Sequence, residues 1–189
     1  MPEVDFFANL GLERLADLSS DAVRAAFQER GRGAHPDAGG TDEQFGAINK
    51  AHATLLDPAL RLRHLAELEF AAAPDSAGEV SAATMQLFEL VGGAIAKADA
   101  FLRRRGEASS AIARALLAAD EAQVQAGVMR AGGAVRKRRD EVLAQLPEID
   151  AEIAAGSGRA EGLLGDCYRE LAFIAKWEAE ISERMASLI

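Results

Sequence analysis

The 189-residue chain is short of the residues that build cross-links, sheets and basic surfaces. Its one cysteine, Cys167, excludes an internal disulfide and any CxxC-type zinc or cluster site. Aromatic residues make up 5% of the chain and β-branched residues are sparse. The 49% of apolar side chains is therefore mostly Ala and Leu, the kind that line helices. Basic residues are outnumbered 21 to 30 by acidic ones, and a net charge of −9 excludes broad electrostatic attachment to nucleic acid or to an anionic membrane. No apolar run reaches membrane-spanning length, and the opening MPEVDFFANL has neither the basic nor the apolar region of a targeting signal. These absences predict a soluble, cytoplasmic, almost wholly helical protein of one or two domains. Cys167 reads as a small buried hydrophobe on a helix.

What the chain does have is a series of helix signals. DFFANLGL opens with an acid, Asp5, and closes with Gly11, the marks of a short capped helix. In LSSDAVRAAFQERGRGA, Ser19 or Ser20 can cap, and Val23, Ala26 and Phe27 form an apolar stripe. Arg30 takes the next inward position and Gly31 and Gly33 follow, so this helix is expected to fray at its end. After the loop GAHPDAGG, Thr41 and Gln44 have capping-box spacing, and Phe45, Ile48, His52 and Leu55 share one face. Asp57-Pro58 stops that helix and starts another. Phe7, Leu10, Val23, Phe27, Phe45, Ile48 and Leu55 form the expected core of an antiparallel hairpin.

Residues 71–79, AAAPDSAGE, read as a linker. Beyond them Ser81 caps a helix with Gly92-Gly93 as a weak point or a close helix contact. The stretch from Ser109 is one broken helix or two, ended by Pro147, and GSGR at 156–159 marks a turn. Leu164, Leu171, Ile174, Trp177 and Ile181 line a final amphipathic helix, and the three long helices predict an antiparallel bundle. The expected organisation is an all-α chain with a helical hairpin domain at 1–70, a linker at 71–79 and a three-helix bundle at 80–189. No internal repeat of solenoid period is visible.

The first segment resembles a J-domain, the module by which co-chaperones engage DnaK-type heat-shock ATPases. The resemblance rests on His35-Pro36-Asp37 between two matched helices, on FFANLGL and VRAAFQ before it, and on FGAINKAHATLLDPALRLRHLAEL after it. Asn49, Asp57-Pro58 and Arg61 also fall where the pattern has them. INKAHATLLDPALRLRHLAEL, with ATMQLFEL and CYRELAFIAKWEAEISERMASL, is most similar to the HscB branch, the co-chaperones of iron–sulfur cluster biogenesis. That resemblance implies a co-chaperone, not an enzyme, that stimulates ATP hydrolysis by a DnaK/HscA-type chaperone and delivers the iron–sulfur cluster scaffold protein. It places His35, Pro36, Asp37, Arg24, Phe27, Gln28 and Arg32 at the ATPase, and Met85, Phe88, Glu89 and Phe173 at the scaffold client. No metal or small-molecule cofactor is implied.

The residue types suit such a role. Pro36 fixes its own φ and holds His35 extended, Asp37 is an ionised acceptor, and His35 is partly charged near neutral pH. An acid–base pair of His35 with Asp37, or a metal site of His35, His52 and His64, has little support. His52 sits on an apolar helix face, and His64 stands where the family commonly has a tyrosine. The basic row is thin: Arg24, Gln28 and Arg32 at i, i+4 and i+8, opposed by Asp21 and Glu29. Arg30 replaces an apolar core residue, Ala34 a tyrosine and Ala38 a lysine, while Gly92 stands where the family has an acidic contact. These departures admit an alternative, a decayed J-domain that serves as an assembly scaffold without ATPase stimulation. Met85 and Phe88 at i, i+3 suit either a partner-binding patch or ordinary bundle core. FLRRR at 101–105 and RKRR at 136–139 read as solvated helix faces or local contacts to acidic partners.

Overall fold

The computed structural model describes residues 4–34, 41–75 and 78–189. Every regular element among them is an α-helix: α1 (Phe6–Leu10), α2 (Ser20–Ala34), α3 (Asp42–Leu56), α4 (Pro58–Glu69), α5 (Ala82–Glu107), α6 (Ala111–Leu143), α7 (Leu146–Ala154) and α8 (Ala160–Leu188).

Local chemistry sets most of these bounds. Asp5 accepts the N–H groups of Phe7 and Ala8, and Gly11 closes α1 in the left-handed region at φ 69°. Thr41 and Gln44 form the full reciprocal capping box at 3.2 Å each way. Asp57 ends α3 and caps α4 by accepting from Ala59 and Leu60, with Pro58 in the first turn, where a missing N–H is no loss. Ser19 caps α2 by accepting from Ala22 at 3.1 Å. That helix runs through Gly31 and Gly33 to Ala34, past the point where fraying was expected. Its buried face, Val23 and Ala26, packs into the hairpin, and this burial supplies what propensity lacks. Arg30 does not enter the core. It is exposed, and its guanidinium lies over Gly11, where any Cβ would collide with it.

The backbone groups into two units, Met1–Gly78 with Leu143–Arg169, and Glu79–Val142 with Glu170–Ile189. In the first, Phe7, Leu10, Val23, Leu55, Leu62 and Leu65 are buried, together with Ile149 of α7 and Leu164 of α8. Phe27 and Phe45, expected in this core, are half-buried instead. Phe27 stacks on His52, with ring centroids 4.2 Å apart. Cys167 is buried on α8, as expected.

Two charged side chains pin the connection between α1 and α2. Arg61 of α4 is buried and donates to the Ala16 carbonyl at 2.9 Å and the Leu55 carbonyl at 2.7 Å. Asp150 of α7 accepts the backbone N–H groups of Ala16 at 2.6 Å and Asp17 at 2.9 Å. Burial lowers the Arg61 pKa, and the carboxylates of Asp17, Asp150 and Asp57 oppose that pull. His64 of α4 is also buried. Its Nε2 accepts the N–H of Phe6 at 3.0 Å, which assigns the imidazole proton to Nδ1, 3.8 Å from Glu67. The ring lies against Phe6 and Phe7. Burial lowers its pKa, against the pull of Glu67 and Asp5.

In the second unit α5, most of α6 and the end of α8 form a three-helix arrangement. Ion pairs Arg104–Asp120 at 2.9 Å and Arg105–Glu121 at 3.3 Å run across an antiparallel α5–α6 hairpin, and Arg184–Asp99 at 3.1 Å joins α8 to α5. Helix α6 is unbroken over 33 residues, and Pro147 opens α7 rather than ending α6. Gly92 and Gly93 lie exposed inside an unbroken α5. A Cβ on either would meet nothing within 4 Å, so they mark neither a break nor a close contact.

Replacing Arg61 by Met takes its side-chain donor from the Leu55 carbonyl, leaves the Ala16 carbonyl with only the Leu18 N–H, and is expected to cost about 2–4 kcal/mol in urea unfolding. For His64, the folded pKa lies below the unfolded value of about 6.5, so the unfolded chain binds more protons as pH falls through that window. Stability is therefore fully present above that value and declines towards acid. His64→Phe is expected to be less stable at pH 7.5 by about 1 kcal/mol and to show a flatter melting-temperature profile than wild type between pH 7.5 and 5.

Candidate functional site

His35, Pro36 and Asp37 lie outside the described residues. The helices on either side of them are well defined: α2 ends at Ala34 and α3 begins behind the Thr41 capping box. Arg24, Gln28 and Arg32 stand exposed on α2, forming the row that their spacing predicts. Arg24 is paired with Asp21 at 3.4 Å, with both side chains largely in solvent. Such an exposed pair is worth about 0–1 kcal/mol, so Arg24 is freed for another carboxylate at little cost. Phe27 sits beside this row and is half turned into the hairpin against His52. Among the described residues no cluster of three or more His, Cys, Asp or Glu is placed to hold a metal ion.

A second surface forms on α5 and α8. Met85 is 53% exposed and Phe88 40%, so both stand outside the bundle core, and Glu89 is exposed beside them. Phe88 meets Phe173 edge-on at 5.7 Å and Trp177 edge-on at 4.8 Å. Trp177 is buried and Phe173 half-buried, which gives Phe88 a firm aromatic backing rather than a free rotor. Gly92, one turn on, adds no side chain to this face.

Close by in the same unit is a polar cluster that periodicity did not reveal. Ser81 caps α5 by accepting from the Thr84 N–H at 3.2 Å, and the fully buried Thr84 hydroxyl donates to Glu170 of α8 at 2.8 Å. Arg138 of α6 donates to the same carboxylate through Nε at 2.8 Å and through Nη2, and pairs with Glu141 at 3.1 Å. Burial raises the Glu170 pKa, but the Ser81 and Thr84 hydroxyls and Arg138 more than offset it and hold it below the usual carboxylate range. RKRR is thus not all solvated face. Arg136 and Lys137 are exposed, whereas Arg138 turns inward. The signal was Thr84 at the third position after a capping serine, but its partners lie 54 and 86 residues away.

Glu170→Gln keeps the shape and removes the charge that Arg138 faces. It is expected to destabilise the bundle by about 2–4 kcal/mol at pH 7. Because the folded pKa of Glu170 is depressed, this contribution is present above the ordinary glutamate pKa and lost as pH falls below it. The gap between wild-type and variant melting temperatures should therefore narrow towards acid.

No family model matches the chain. The tetratricopeptide repeat and J domain-containing co-chaperone DNJ1 of Cryptococcus neoformans var. grubii is 38% identical over 60 residues, and chaperone protein DnaJ 2 of Nocardia farcinica 40% identical over 63. Those stretches are 32% and 31% of this chain and only 11% and 16% of the two relatives, so the chain spans a small part of their length. Two solved structures are similar over nearly the whole chain. Chaperone HscB from Vibrio cholerae has a TM-score of 0.65 and 20% identity, covering 98% of this chain and 100% of that one. The human co-chaperone protein HscB has a TM-score of 0.64 and 15% identity, covering 97% and 83%. The chain has the all-α fold of the HscB co-chaperones, and its sequence relatives are J-domain and DnaJ chaperone proteins.

Proposed function

We propose that this chain is an HscB-type co-chaperone, with a J-domain at 1–70, a linker at 71–79 and a client-binding bundle at 80–189. The turn of His35, Pro36 and Asp37, with Arg24, Phe27, Gln28 and Arg32 of α2, engages a DnaK/HscA-type heat-shock ATPase and stimulates its ATP hydrolysis. Met85, Phe88, Glu89 and Phe173 hold the client, the iron–sulfur cluster scaffold protein. The chain performs no chemistry itself. Proline at position 36 allows its own φ little freedom, and Asp37 and His35 bring a carboxylate acceptor and an imidazole with which to re-aim hydrogen bonds in the partner.

The observation that carries this reading is the HscB fold running through 98% of the chain, around a sequence that keeps His-Pro-Asp between α2 and α3. The exposed Met85 and Phe88 support the client assignment, since apolar side chains held outside a core favour a protein partner. Arg24 supports the ATPase assignment, because its pairing with Asp21 is weak enough to exchange for an acidic patch.

Steady-state ATP hydrolysis by the cognate chaperone should rise with added wild-type chain and return to the basal rate with His35→Gln. Phe88→Ala and Phe173→Ala should each weaken capture of the scaffold protein by about tenfold while leaving ATPase stimulation in place. A chain that binds its client but never raises the hydrolysis rate would be the decayed-scaffold alternative.

A further inference from the structure

Helices α5 and α6 carry ten basic and seven acidic residues, on a chain whose net charge is −9. Part of that excess lines a groove of about 360 Å³ on the α5–α6 seam. Lys97 and Arg104 contribute from α5, Asp120 and Arg130 from α6, with the small residues Ala94 and Gly127. Asp120 is taken by Arg104 at 2.9 Å. Lys97 and Arg130 are exposed and form no ion pair among the described residues.

Helical spacing extends the groove at both ends into apolar side chains. Leu90 lies at i−7 from Lys97 on α5, and Leu116 and Ile112 lie at i−4 and i−8 from Asp120 on α6. Leu90 is 43% exposed, Leu116 75% and Ile112 76%. From Leu90 to Arg104 the stripe is about 21 Å long at 1.5 Å per residue. Phe88, two residues before Leu90, falls on the opposite side of α5, so this surface is separate from the aromatic one.

We propose that the α5–α6 face docks an acidic amphipathic helix of a partner protein. Its carboxylates meet Lys97 and Arg130, and its apolar side chains cover Leu90 at one end and Leu116 and Ile112 at the other. Two unpaired cations above small side chains let a helix approach closely and reward negative charge at mid-length. The apolar residues at both ends distinguish the face from a plain phosphate-binding stripe, which needs cations throughout.

The test uses the full chain and a labelled helical peptide of about 18 residues, long enough to span the stripe, with leucines in its first and last turns and glutamates at i, i+4 between them. Fluorescence anisotropy should show saturable binding that weakens with added salt. The double variant Lys97→Glu/Arg130→Glu and the single variant Leu116→Ser should each weaken it by about tenfold, with helicity by circular dichroism unchanged. Phe88→Ala should bind as wild type does, which separates this surface from the client site. The proposal is overturned by absence of binding, by equal binding of a peptide with lysines in place of the glutamates, or by duplex DNA competing as well as unlabelled peptide. It is equally overturned if light scattering finds a dimer that Leu116→Ser dissolves, since a second copy would then cover the face.

Discussion

A buried guanidinium and a buried-edge carboxylate, Arg61 and Asp150, together hold the backbone at Ala16 and Asp17. The connection between α1 and α2 makes no helix of its own; its Ala16 and Asp17 amides would otherwise lie in or near the core without partners, and its Ala16 carbonyl would keep only the Leu18 N–H at 3.2 Å. Side chains from α4 and α7 satisfy them. This fastening and the buried face of Val23 and Ala26 together set the position of α2, and so the direction in which Arg24, Gln28 and Arg32 face. It also explains why the α7 segment belongs with the N-terminal helices rather than with the bundle helices that flank it in sequence.

The caps were legible because their chemistry is local. Asp5, Gly11, the Thr41–Gln44 box and Asp57-Pro58 each act within three or four residues, and the helices begin and end where those residues require. Long-range polar contacts were not legible. Arg61 reaches Ala16 over 45 positions, Asp150 reaches it over 134, and Thr84 meets Glu170 over 86. Nothing in spacing pairs such residues before the chain has folded. Gly31 and Gly33 misled for a related reason: propensity weighs each residue alone, whereas α2 is held by the face it buries. Met85 and Phe88 were ambiguous because an i, i+3 apolar pair looks the same on either side of a helix. Only the position of α8 decides which side is outside.

The two surfaces assigned to partners are built differently. The α2 row is polar and solvated, with its one described ion pair weak, so a charged partner of the proposed kind would displace little there. The α5–α8 surface is apolar and already ordered, since Phe88 is braced by Phe173 and Trp177. Binding there loses little side-chain freedom, and the desolvated area contributes directly to affinity. The Ser81–Thr84–Arg138–Glu170 cluster keeps α5, α6 and α8 in register at that end of the bundle, so the aromatic surface is held by polar contacts it does not itself contain.

The packing of Phe88 on Trp177 has a spectroscopic consequence. Trp177 is the only tryptophan in the chain, and it lies buried directly beneath a half-exposed ring. Indole emission responds to the polarity and mobility of its immediate surroundings, so water leaving the Phe88 surface alters its wavelength and yield. The protein therefore carries an intrinsic optical reporter at its aromatic surface, and occupancy there can be followed without a label.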